Sequence, residues 1–100
     1  MNYTVYYRKD FRDLTYTSPE CLTNIEANDL EDLFDVLNHH NLPCRSMSVG
    51  DVAEDAEGVM YIVMPYGFRE LCVDEKVYVR QTAKGEAPTA FASKPDCDGF

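Results

Sequence analysis

The sequence predicts an α+β fold, a small bent antiparallel sheet of four to five strands packed against one main α-helix. Three observations carry that expectation. Leu30, Leu33, Phe34 and Leu37 fall at the i, i+3, i+4, i+7 positions of one apolar helical face. Segments rich in Tyr, Thr and Val at 2–8, 59–64 and 76–80 carry the side chains that suit a pleated, half-buried surface. Turn residues stand between the strand-like runs, above all Asp55-Ala56-Glu57-Gly58 and the pair Pro65 and Gly67. With 100 residues, 45% of them hydrophobic, the chain has material for one modest core. The expected organisation is a single α+β domain over 1–82 and a flexible or loosely packed tail over 83–100.

In chain order, Asn2 to Arg8 opens as a strand and ends in the charged turn Arg8, Lys9, Asp10, Arg12 and Asp13. A second short strand fits Leu14 to Thr17 before Ser18-Pro19 interrupts it. Glu20 to Ala27 suits either an extended segment or a helical turn. The main helix runs from about Asp29 to His39, with Asn28 as N-cap and Glu31 three residues on in the spacing of a capping box. Asp29, Glu31 and Asp32 complement the positive end of its dipole, His39 and His40 the negative end, and Asn41-Leu42-Pro43 stops it. Met47, Val49 and Val52 flank the Gly50-Asp51 turn, and the 55–58 loop leads into a strand at Val59 to Met64, forming a hairpin. Phe68 to Val73 reads as a further strand. So does Lys76-Val77-Tyr78-Val79-Arg80, which alternates polar and apolar residues. From Thr82 onward Ala, Gly, Pro, Lys, Ser and Asp dominate, the composition of an arm. The expected core joins Leu30, Leu33, Phe34 and Leu37 to Val5, Tyr61, Val63, Phe68 and Val77.

Three stretches resemble a known family. They are Asn28-Asp29-Leu30-Glu31-Asp32-Leu33-Phe34, then Arg45-Ser46-Met47-Ser48-Val49-Gly50-Asp51-Val52, then Tyr61-Ile62-Val63-Met64-Pro65-Tyr66-Gly67-Phe68-Arg69-Glu70-Leu71. Together, over about residues 28–71, they resemble the YodL-like domains of phages, plasmids and integrative mobile elements, and the 45–52 segment is the most specific part. The resemblance implies a mobile-element origin and a small α+β fold, and it transfers no catalytic residue. Where the family's strand after the Gly-Asp turn is apolar, this chain has Val52-Ala53-Glu54-Asp55-Ala56-Glu57.

The formal charge of −9, from 18 acidic and 9 basic side chains, repels phosphate backbones and anionic lipid, so no direct nucleic acid or membrane partner is expected. The chain's size leaves little room for a deep, fully walled substrate cavity, and no glycine-rich phosphate loop is present. Cys21, Cys44, Cys72 and Cys97 contain no C-x-x-C pair, and Met1 to Tyr7 has no basic segment followed by an apolar run. The thiols are therefore expected reduced and the protein cytoplasmic. His39, His40 and Cys44 offer metal-ligand chemistry, but adjacent helical residues point about 100° apart, and a helix C-terminus accounts for both histidines. No cofactor, no metal and no enzymatic activity are expected.

The functional signal is the placement of charge. Nine of the 18 acids lie between Glu26 and Glu57, with Arg45 as the single cation among them. If the helix and the hairpin tip lie side by side, Asp29, Asp32, Asp35, Glu54, Asp55 and Glu57 form a negative surface suited to a basic protein partner. Such a small acidic, non-enzymatic binding protein of mobile-element type would inhibit a host nucleic-acid-binding or defence protein. The simpler account of the same acids is a solvated helix face and loop. The alternative function is an interaction module that binds a host structural protein or self-associates through Tyr-rich and edge-strand contacts.

Overall fold

The computed structural model describes residues 2–8, 15–16, 25–39 and 49–95. The elements are β1 (Asn2–Tyr6), β2 (Ile25–Glu26), α1 (Leu30–His39), β3 (Val52–Glu54), β4 (Met60–Met64), β5 (Gly67–Glu70) and α2 (Val73–Ala83). The strands form one antiparallel sheet in the order β2-β1-β3-β4-β5, an α+β fold as expected. The segment at 20–27 that fitted either an extended or a helical form contributes β2, whose Ile25 and Glu26 pair with Tyr3 and Asn2. Tyr16 makes an isolated antiparallel bridge to Arg8, within the region expected as a second strand.

Because side chains alternate across a strand, the sheet has two distinct apolar faces. Tyr3, Val5 and Tyr7, with Ala53 and Val63, pack with Leu33 and Leu37 of α1. Leu30, Phe34, Val49 and Phe68 close the edges of that cluster, and Phe34 meets Phe68 edge to face with centroids 6.4 Å apart. The even-numbered side chains Tyr6, Val52, Met60, Ile62 and Met64 point the other way and pack, with Leu71, against Tyr78 and Val79 of α2. The architecture is thus helix, sheet, helix, rather than a sheet with one helix on one face.

The second helix is a correction to the sequence reading, which made 76–80 a strand. Its inward residues are Glu75, Tyr78, Val79 and Thr82, again at i, i+3, i+4, i+7, but two of the four are polar and hide the period. Both polar groups are bonded where they are buried. Glu75 accepts two hydrogen bonds from Arg69, at 3.1 and 2.9 Å, and one from the Cys72 N–H at 3.0 Å. The Thr82 hydroxyl donates to the Tyr78 carbonyl at 2.9 Å and accepts from the Tyr16 N–H at 3.3 Å. Val77 consequently leaves the expected core: it belongs to α2 and is half-buried outside both clusters.

Residues 84–95, in the part of the chain expected as a tail, run back along α2. Glu86 donates its N–H to Gln81 O, the Thr89 N–H reaches Gln81 Oε1, and the Ser93 N–H reaches Asp74 O. Ala92 packs against the α2-side cluster, and Pro95 is fully buried.

The Gly50-Asp51 turn locks the upper part of the sheet. Gly50 has φ +95°, a left-handed conformation that side chains rarely adopt, and a Cβ there would lie 2.7 Å from Arg8 Nη1. Its carbonyl accepts the buried Tyr16 hydroxyl at 2.8 Å, and the buried Asp51 carboxylate accepts the Arg8 N–H at 2.8 Å. Met47 and Arg45, in the same motif, lie outside the described residues.

Candidate functional site

The start of α1 and the β3–β4 turn meet above the α1 face of the sheet. The N-cap of α1 is Asp29, one residue beyond the Asn28 that the sequence suggested. Its Oδ1 accepts the Asp32 N–H at 2.8 Å, and Asp32 Oδ2 accepts the Asn28 N–H at 2.8 Å. The result is a reciprocal cap of two aspartates in place of the expected Asn28–Glu31 pair. In the β3–β4 turn, Asp55 Oδ1 accepts the N–H groups of Glu57 and Val59 at 2.9 and 3.0 Å. Both Asp29 and Asp55 are thereby held in one orientation by their Oδ1 atoms.

Between them lies a groove of about 560 Å³ lined by Asp29, Glu31, Asp55, Tyr3 and Tyr61, with Leu30 and Phe68 among its apolar walls. Tyr3 is 3% exposed, and among the described residues its hydroxyl has no hydrogen-bond partner. Burial raises the Tyr3 phenol above its ordinary range, and the Asp55 and Asp29 carboxylates add to that rise. Tyr61 is raised by burial and then by Asp55, Glu70 and Glu57. The two phenols therefore stay neutral acceptors and donors in a negative field at physiological pH.

The six acids singled out by sequence do not form one surface. Asp29 and Asp55 both line the groove, and Glu31, absent from that set, lines it with them. Asp32 is spent on the helix cap. Asp35 is exposed on the next turn of α1, and Glu57 is exposed at the hairpin tip. Glu54 lies on the opposite face, because β3 places Ala53 toward α1 and turns Val52 and Glu54 toward α2. There it accepts Arg80 Nη2 at 2.7 Å and the Tyr6 hydroxyl at 3.0 Å, and burial together with this carboxylate pushes Tyr6 up to about 12. Glu54 thus bridges β1, β3 and α2 instead of contributing to an open acidic surface.

Sequence reasoning missed Tyr3 and Tyr61 as groove residues. The signal was strand parity: Tyr3, Val5 and Tyr7 share the face of α1, as do Tyr61 and Val63, and Tyr3 and Tyr61 line the groove together with residues at the helix start. Among the described residues, no group of three or more His, Cys, Asp or Glu side chains could hold a metal ion. The His39 side chain, His40 and Cys44 lie outside them. Cys72 is a free, exposed thiol at the start of α2. No helix among the described residues is long and apolar enough to cross a membrane. No protein-family model, curated protein or solved structure matches this chain.

Proposed function

We propose that this protein is a non-enzymatic binding module that engages a basic surface of a partner protein through the acidic face at the start of α1 and the β3–β4 turn. The observation that supports this reading is the convergence of Asp29, Glu31 and Asp55 on one groove, from two elements separated in sequence, with Glu57 and Asp35 exposed on the same two elements. The net charge of −9 would steer a basic partner toward the protein and keep nucleic acid away. The resemblance to YodL-like domains of mobile elements supports, by analogy, a host nucleic-acid-binding or defence protein as the partner whose basic groove is blocked.

The second reading, self-association or binding of a structural protein through tyrosines and a sheet edge, has narrower support. Tyr3, Tyr6, Tyr7, Tyr16 and Tyr78 are buried, which leaves Tyr66 and part of Tyr61 for contact. What favours it is β5, which among the described strands pairs only with β4, beside the 75%-exposed Tyr66.

Salt dependence separates the two. Immobilised protein should retain a basic partner from cell lysate at low ionic strength and lose it as the Debye length contracts from ~10 Å at 0.1 M to ~3 Å at 1 M salt. Retention that is unchanged by salt supports the edge-strand reading and contradicts the acidic-face reading.

A further inference from the structure

Among the described residues, the groove lined by Asp29 and Asp55 combines fixed charge with a buried polar group that no described residue bonds. We infer that the groove lined by Tyr3, Asp29, Asp55 and Tyr61 is a receptor for an arginine side chain of the partner protein, an inference that rests on the acidic-face reading above.

The acceptors are preorganised. Asp29 and Asp55 each commit Oδ1 to a backbone N–H, of the helix start and of the hairpin turn respectively. Each retains an Oδ2 with no partner among the described residues, and its direction is set by the bonded oxygen. The independent observation is Tyr3. Its side chain is almost wholly buried, it lines the same groove, and its hydroxyl is unbonded to any described residue. Tyr3 lines the groove together with Asp29 and Asp55, at the end of the buried row that continues into the α1-side core.

Three acceptors from three elements, surrounding an opening with aromatic and aliphatic walls, match a guanidinium better than an ammonium. A guanidinium is planar, presents five N–H donors in fixed directions and is weakly hydrated, so it can bridge two carboxylates and a phenol while lying against Tyr61. Its three-carbon stem would cover Leu30 and Phe68, apolar groups that line the same groove. A lysine can satisfy the charge but neither the spread of acceptors nor the stacking. Glu31 at the rim adds attraction without geometry.

The test is an NMR titration of the full chain with acetyl-Gly-Arg-Gly-amide, using the lysine and citrulline peptides and magnesium chloride at matched ionic strength as comparisons. Saturable shifts confined to the Tyr3 and Tyr61 rings and the Asp29 and Asp55 amides are expected with the arginine peptide, weaker ones with lysine, and none with citrulline. Asp29→Asn/Asp55→Asn keeps an Oδ1 acceptor for each backbone N–H and removes both charges, so it should fold and bind at least about ten-fold more weakly. Tyr3→Phe should weaken binding roughly five-fold by removing one hydrogen bond. Equal binding of citrulline, equal shifts with magnesium, or shifts spread over remote acids such as Asp74 and Glu86 would overturn the inference. A basic partner retained at low salt together with a groove unmoved by the arginine peptide overturns this inference alone. If no basic partner is retained from lysate, the acidic-face reading fails, and the titration still decides whether the groove takes a guanidinium.

Discussion

Ile62→Ala is expected to lower the free energy of unfolding by about 2–5 kcal/mol, the range for truncating a fully buried aliphatic side chain in a core that collapses only partly around the gap. Ile62 lies on β4 between Val52 of β3 and Arg69 of β5, and none of it is exposed. Its side chain belongs to the cluster with Met60, Met64, Tyr78 and Val79, so the lost contacts are those that hold α2 to the sheet. Leu33→Ala, from the fully buried face of α1, should cost about the same from the other side. Denaturant titration of both variants separates the two layers. A large loss for Leu33→Ala beside less than about 1 kcal/mol for Ile62→Ala would mean that α2 does not form the third layer. Against a total stability of about 5–15 kcal/mol, either loss at the upper end leaves a marginal protein.

Glu75→Ala is expected to cost about 1.5–3 kcal/mol at neutral pH, the value of hydrogen bonds to a charged group that is mostly out of water. Burial by itself raises the Glu75 carboxyl, but the Arg69 guanidinium and the Cys72 N–H outweigh it and hold the pKa at about 2, below the ordinary 4.5. Arg69 is 38% exposed at its side chain, so part of its attraction is screened and the cost lies below what the shift alone would suggest. A depressed carboxylate pKa contributes stability that is complete above about 4.5 and is lost as pH falls through about 2. Unfolding titrations at several pH values should therefore show the wild type and Glu75→Ala differing fully at pH 5–7 and converging toward pH 2. A difference that stays constant over that interval would mean that the Arg69–Glu75 pair does not anchor the start of α2.

The contrast between the two helices explains how much of the fold was legible. In α1 all four inward positions are apolar, so Leu30, Leu33, Phe34 and Leu37 declare the helix, although its cap is Asp29 rather than Asn28, with Asp32 accepting the Asn28 N–H in return. In α2 the same spacing is written with Glu75 and Thr82 at its ends, and Val77 and Val79 supply a false alternation with Lys76, Tyr78 and Arg80. Its stop was readable in Lys84-Gly85, where Gly85 has φ +79°. What no local pattern contained was the ion pair that makes a buried Glu75 tolerable, since Arg69 comes from the neighbouring strand.

The candidate site divides along the same line. Density of charge pointed to the stretch from Glu26 to Glu57, and the turn chemistry of Asp55 and the capping position of Asp29 brought two of the six acids to one groove. Strand parity removed Glu54 to the opposite face and supplied Tyr3 and Tyr61, a placement that depends on the register of β1 against β3 and of β3 against β4. Pairing register is a long-range property, so composition pointed to the acidic region but could not divide it between faces.

The most direct measurement of the central claim compares two charge reversals of equal size for retention of the basic partner at low salt. Glu31→Lys/Glu57→Lys changes exposed acids at the groove and its turn while leaving the Asp29 and Asp55 side chains and the backbone N–H groups they accept in place, whereas Asp74→Lys/Glu86→Lys changes exposed acids on and beyond α2. The account predicts loss of the partner with the first pair and retention with the second. Equal loss with both would reduce the interaction to net charge, and retention with the first pair would place the partner elsewhere on the molecule.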